Sequence, residues 1–238
     1  MQKHSVRVWP SAEVHDREEE LAWKFATLAA DSVDVDEKAV AMVVNRVIDN
    51  ASVALASINR GPIVSARAQA LAHAKPGGAT LFGLGSATRV HAEWAAWANG
   101  TAVRELDFHD TFLHMEFGHP GDNICPLIAV AQQKGRSGAD LIRGVVTAYE
   151  VHVNLMKAIR LHSHKIDHVA HTGVGAAAGI GAMLGLTPEI IYQAINQTLH
   201  ICCATRQSRK GQISSWKSAA PAHSSKVAIE AVDRAMRG

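Results

Sequence analysis

Cysteine is scarce in this 238-residue chain: Cys125, Cys202 and Cys203 are all it has, and no two are spaced as CxxC. A disulfide framework and a four-cysteine zinc site are thereby excluded. Charged residues are also few, 19% of the chain, where soluble domains carry roughly 25%. With hydrophobic residues at 47%, the composition is that of a chain that folds. Neither sign of charge dominates. There are 24 basic and 22 acidic residues, a net charge of +2, with no basic stripe and no aromatic interleaving. No nucleic-acid partner is expected. Long apolar runs are missing as well. Gly, His or a charge breaks each one short of a bilayer span, and Met1 to Arg17 lacks the apolar segment of a signal peptide. No membrane partner is expected, and a reducing, cytoplasmic setting is the default.

What is present reads as helix. Ala39, Val40, Val43, Val44, Val47, Ile48 and Ala51 recur at helical spacing, with Asp34 or Asp36 available as N-cap. Ser137 and Asp140 form a capping-box pattern opening a helix to about Leu155. Thr187-Pro188-Glu189 opens another to about Cys203, and Gly185 stops the one before it. Glu18–Ala30, Pro62–Ala74, Val90–Glu105 and Lys226–Met236 are further helices. Loops are expected over 75–86, 107–122, 161–167 and 206–215. Gly173, Gly175, Gly179 and Gly181 suggest a dinucleotide fingerprint, but no strand precedes them. They read instead as the close-packing face of a helix over 168–183. Pro76-Gly77-Gly78 lacks the Gly-Lys-Ser/Thr of a phosphate loop. The fold class is all-α, a multi-helix domain over 1–238 with an extended arm at 1–17.

The chain is rich in histidine, with 14, and eight lie between His109 and His171. Three stretches could carry chemistry. Arg104 to Thr111 and Gly118 to Asn123 bring two imidazoles and several carboxylates together, with a Gly-Pro-Gly frame around His119. This suits acid/base work, although a polar loop with surface histidines fits equally. His162 to His171 contains His164 and His168 at i, i+4, a spacing that could place two metal ligands on one helix face. The ligand set is incomplete, so no metal and no cofactor are expected, and a single substrate-contacting His168 is the better reading. Arg206 to Ala222 is either a solvated loop or an anion cradle, with Lys210 and Lys217 as candidate cations for a carboxylate.

Asp107-Phe108-His109-Asp110-Thr111, the Gly-His119-Pro120-Gly frame, Lys165-Ile166-Asp167-His168 and Ser215-Trp216-Lys217 together resemble the MmgE/PrpD family. Asn45 to Asn50 and Glu93 to Gly100 add to the resemblance, which covers nearly the whole chain. It implies a homodimeric, iron–sulfur-independent hydro-lyase of the methylcitrate cycle in propionate breakdown. Such an enzyme dehydrates the tricarboxylate 2-methylcitrate to 2-methyl-cis-aconitate. Decarboxylation of cis-aconitate on the same scaffold is the alternative. By motif, Asp107, His119, His168 and Lys217 would be catalytic, with Thr111, His109 and Lys210 binding substrate. Family members are longer, with a second domain closing the cleft. The chain therefore reads as an N-terminal portion with part of its helical core uncovered. It is expected to be inactive alone or to dimerise through that surface. A non-catalytic remnant that associates with a full-length homologue is the remaining alternative.

Overall fold

The computed structural model describes residues 3–238. Lys3 to Asp16 carry no helix or strand; Met1 and Gln2, the start of the expected arm, lie outside the described residues. After a short 3-10 turn, α1 (Leu21–Ala30), α2 (Glu37–Ser57), α3 (Gly61–Leu71) and α4 (Ala92–Glu105) follow. Then come α5 (Ile124–Lys134), α6 (Gly138–Ala158), α7 (Val169–Leu184), α8 (Pro188–Cys202) and α9 (Trp216–Ala235). The all-α reading holds, with two minor two-stranded pairings among the described residues.

Local sequence sets the helix ends. Asp36 caps α2 by accepting from the Ala39 N–H at 2.9 Å. Ser137 and Asp140 cap α6 reciprocally. Gly185 closes α7 at φ 67°, where a β-carbon would be strained.

Helix α7 is the centre of the domain. It packs on α6, α8 and α9, and all but its last residue, Leu184, is buried. The four glycines do what the bland reading of them predicts. A β-carbon on Gly179 would lie 2.6 Å from the Gly144 carbonyl oxygen of α6, and one on Gly181 would lie 2.6 Å from Ile191 of α8. Helix axes this close exclude any larger residue. Gly179→Ala is expected to lower stability by about 1–3 kcal/mol through overpacking. Gly138→Ala, which meets nothing within 4 Å, is expected to be neutral. Denaturant midpoints compare the two.

Some expectations need correction. The loop at 75–86 begins as a strand: β1 (Ala74–Thr80) pairs antiparallel with β2 (Arg89–Val90). Pro76-Gly77-Gly78 forms an irregularity in which Val90 faces both Ala74 and Ala79. Gly78 is obligatory there, because a β-carbon would meet the Val90 carbonyl oxygen at 2.1 Å. The loop at 107–122 contains a second hairpin, β3 (Phe112–Leu113) with β4 (Phe117–Gly118), and runs into a 3-10 turn, Pro120–Asn123. The last helix starts at Trp216, which puts Lys217 at a helix start as its place before the Ala run suggests, and it continues through Pro221 into the helix read over Lys226–Met236. His164 and His168 share no helix face: His164 ends a 3-10 turn, Lys165 adopts φ 62°, and His168 is the N-cap of α7.

Helix α2 is, among the described residues, the one element long and apolar enough to cross a membrane by length and composition. It carries Arg46 and Asp49 near its middle and packs Val53 and Ala54 into the domain. Its other face leaves Val44, Ile48 and Leu55 exposed, and Met42, half exposed, lies toward α6.

Candidate active site

The segment between α4 and α5 folds back over the ends of both helices. Asp107 stops α4 in the left-handed region, at φ 57°, which Asp tolerates better than most residues. Its carboxylate meets two cations. Lys217 Nζ, from the first turn of α9, lies 2.7 Å from Oδ2, and Arg104 Nε lies 3.0 Å from Oδ1. Burial alone would raise the Asp107 pKa, but the Lys217 hydrogen bond and the charges of Arg104 and Lys217 hold it below the usual value.

His119 sits beside this pair, with Nε2 3.8 Å from Asp107 Oδ1. Its Nδ1 is 3.0 Å from the Asp110 carbonyl oxygen and 3.2 Å from the Thr111 hydroxyl. A carbonyl oxygen only accepts, so Nδ1 carries the proton and Nε2 presents a lone pair. Burial, reinforced by the Arg104 charge, pushes the His119 pKa down to about 4. The ring is neutral at pH 7 and ready to accept a proton.

Asp110 clamps the loop. It accepts from the Gly121 N–H and the Tyr149 hydroxyl, each at 2.8 Å. Its carboxyl is raised by burial against the opposing effect of those bonds.

His168 lies behind Gly118, the residue before His119. A β-carbon on Gly118 would be 3.7 Å from the His168 ring. The ring is 5.5 Å from Phe117 and 5.4 Å from His162, centre to centre. Asp167 Oδ1 lies 3.3 Å from its Nδ1, and Arg209 holds both Asp167 oxygens at 2.9 Å. Burial, then the charges of Arg104 and Arg209, keep the His168 pKa well below the ordinary value. Glu116 is buried on the same side. It accepts from the backbone N–H of His162 at 2.9 Å and of Phe117 at 3.0 Å, and also contacts the His162 ring.

Asp107, Thr111, His119 and Lys217 therefore converge, with His168 one residue behind. His109 and Lys210 do not face the cleft in the expected way. His109 is 2% exposed and gives its Nε2 to Asp122. Lys210 is exposed, and among the described residues it makes no ion pair; Arg209, its neighbour, reaches Asp167 instead. Three contributors escaped the sequence reading as site residues. Arg104 stands three before Asp107, a helical spacing that could have revealed it. Asp122 and the Glu116–His162 pair join residues 13 to 46 positions apart, for which no local pattern exists.

Comparison with known proteins places the chain in a family. Residues 19–238 match the MmgE/PrpD N-terminal domain. The 2-methylcitrate dehydratase of Escherichia coli K12 is 34% identical over 112 residues, 43% of this chain and 23% of that protein. The mitochondrial 2-methylcitrate dehydratase of Yarrowia lipolytica is 33% identical over 109 residues, 41% of this chain and 21% of that protein. An alkylcitrate dehydratase from a fungal species is 29% identical over 133 residues, 49% of this chain and 26% of that protein. The matched stretch spans about a quarter or less of the length of these relatives.

Proposed function

This chain belongs to the MmgE/PrpD family, and on that premise we propose that its cleft serves the dehydration of 2-methylcitrate to 2-methyl-cis-aconitate. The observation that carries the reading is the His119 ring, with its tautomer set by the Asp110 carbonyl and Nε2 free beside the Asp107–Lys217 pair.

The elimination breaks a C–H bond next to a carboxylate and the neighbouring C–OH bond, forming C=C and water. His119 Nε2 takes the proton and, as imidazolium, passes it to the departing hydroxyl, which leaves as water while the ring returns to its neutral form. Lys217 exchanges part of its contact with Asp107 for a substrate carboxylate, placing positive charge where the enolate-like charge develops. Asp107 stabilises the imidazolium, and the anionic substrate itself raises the proton affinity of His119. Thr111 steadies Nδ1. His168 meets a second carboxylate or the departing hydroxyl. His109 acts from behind the base, and Lys210 has no assigned contact.

Titrating 2-methylcitrate into the chain, with calorimetry and histidine NMR, tests the reading. Saturable binding that perturbs His119 and weakens at least about tenfold in Lys217→Ala is expected, as for loss of a charged contact. Absence of tricarboxylate binding would overturn it. The exposed Val44, Ile48 and Leu55 support a homodimer covered along α2. Sedimentation is expected to give a dimer that Ile48→Glu dissociates; a monomeric wild-type chain contradicts this.

A further inference from the structure

Asp122 takes no part in the scheme above, yet its charge is buried close to the base. Its side chain is 3% exposed, as is that of Arg104. It lies three residues after His119, on the 3-10 turn Pro120–Asn123. The backbone that aims the imidazole therefore also carries this carboxylate. Its two oxygens are divided between two partners. Oδ2 accepts from Arg104 Nη1 at 3.0 Å, and Oδ1 meets His109 Nε2 at 3.0 Å.

Each partner leads back to the base by a different route. Arg104 reaches on to Asp107 through Nε at 3.0 Å. The planar guanidinium thus meets two carboxylates from nitrogens held in one rigid plane, hydrogen-bonding Asp122 and ion-pairing with Asp107, a fixed spacing that an ammonium on a flexible stem does not impose. The His109 ring lies against His119, centroids 4.8 Å apart at an interplanar angle of 23°. One buried carboxylate thereby holds both the group facing His119 Nε2 and the surface on which the His119 ring rests. The charges alternate from the interior outward: Asp122, Arg104, Asp107, Lys217. Burial would raise the Asp122 pKa, but the Arg104 charge and the His109 hydrogen bond hold it below the usual carboxylate range. A carboxylate in such a place is costly unless every oxygen is paired.

We propose that Asp122 is a positioning residue that orients His119 for proton transfer, acting through the Arg104 fork and the stacked His109 ring. The proposal rests on the dehydratase reading for what the oriented ring does. Removing Asp122 leaves substrate contacts in place, so turnover falls while substrate affinity stays.

The test uses the 238-residue chain carrying Asp122→Asn or Arg104→Lys. The lysine keeps the positive charge but cannot fork, and it decides the matter if the asparagine variant fails to fold. Nitrogen NMR of the histidine rings at pH 7 reports the His119 tautomer and its protected Nδ1 proton, with His73, stacked on Trp94, as the internal control for an intact fold. Expected are mixed tautomers and a fast-exchanging Nδ1 proton at His119, an unchanged His73, and kcat reduced at least about thirtyfold with KM within about threefold, as for loss of orientation. If both variants keep the His119 signature and turnover, the proposal is wrong. If the signature degrades as expected but the wild-type chain does not bind 2-methylcitrate, the relay stands and the dehydratase reading falls.

Discussion

Lowering the pH is expected to unfold this protein cooperatively near pH 5, above the range in which ordinary carboxylates take up protons. Four histidines drive the transition. Burial holds His119 and His171 at about 4 and His152 at about 3, and keeps His168 well below its ordinary value. In the unfolded chain each titrates near 6.5. Folded-state values are depressed, so the native state binds fewer protons. The stabilisation is complete above about pH 6.5 and is lost as the pH falls. Each ring removes about 1.4 kcal/mol per pH unit below that point, and the four together remove on the order of 5 kcal/mol per unit. Domains of this kind have about 5–15 kcal/mol in all, so one to three pH units suffice, and a stability of about 8 kcal/mol places the midpoint near pH 5. Asp107, Asp122 and Glu116, also depressed, add to the loss only below about pH 4, and the raised Asp110 opposes the loss just above that pH. Circular dichroism against pH gives the midpoint. His152→Gln should reduce the steepness by about one proton. Native structure retained at pH 4 would show that these rings are charged in the folded protein.

Replacing His119 by alanine is expected to cut dehydration of 2-methylcitrate by about 10²–10⁴, the usual contribution of a positioned general base. Binding should change little, because Lys217 and His168 remain. Lys217→Ala should raise KM, since it removes a carboxylate partner. Product formation followed by ultraviolet absorbance separates the two patterns. The acid limb of the rate profile also carries information. A base at about 4 would keep activity level down to that pH, but the histidine-driven unfolding intervenes first. Activity should therefore fall with the loss of structure near pH 5, and the two curves should coincide. Wild-type turnover in His119→Ala would refute the assigned role.

Much of the fold was legible because helix signals are local. The Asp36 cap, the Ser137–Asp140 box and the Gly185 stop each operate within a few residues, and each is where the pattern put it. The glycines of α7 were read correctly because a fingerprint loop needs a strand that is absent. The strand at Ala74–Thr80 was not legible. Pro-Gly-Gly looks like a turn, and only the pairing with Val90 makes it an irregular strand. The helix start at Lys217 and the helix over Lys226–Met236 are each legible, but that they form one continuous α9 is not, because Pro221 and the surrounding polar residues break its apolar period.

The site divides in the same way. Composition and motifs alone put histidine, aspartate, threonine and lysine in a few short stretches and pointed to acid/base chemistry on a carboxylate. They also excluded disulfide, nucleic-acid and membrane roles as primary readings. Which nitrogen of His119 is free, that Lys217 reaches Asp107 across 110 positions, and that His109 serves Asp122 depended on packing. A proton's place on a ring and the pairing of a buried charge are set by distance and exclusion of water, and neither is encoded by neighbours in the chain. The sequence by itself determined the kind of chemistry; the tertiary structure decided which atoms are available to perform it.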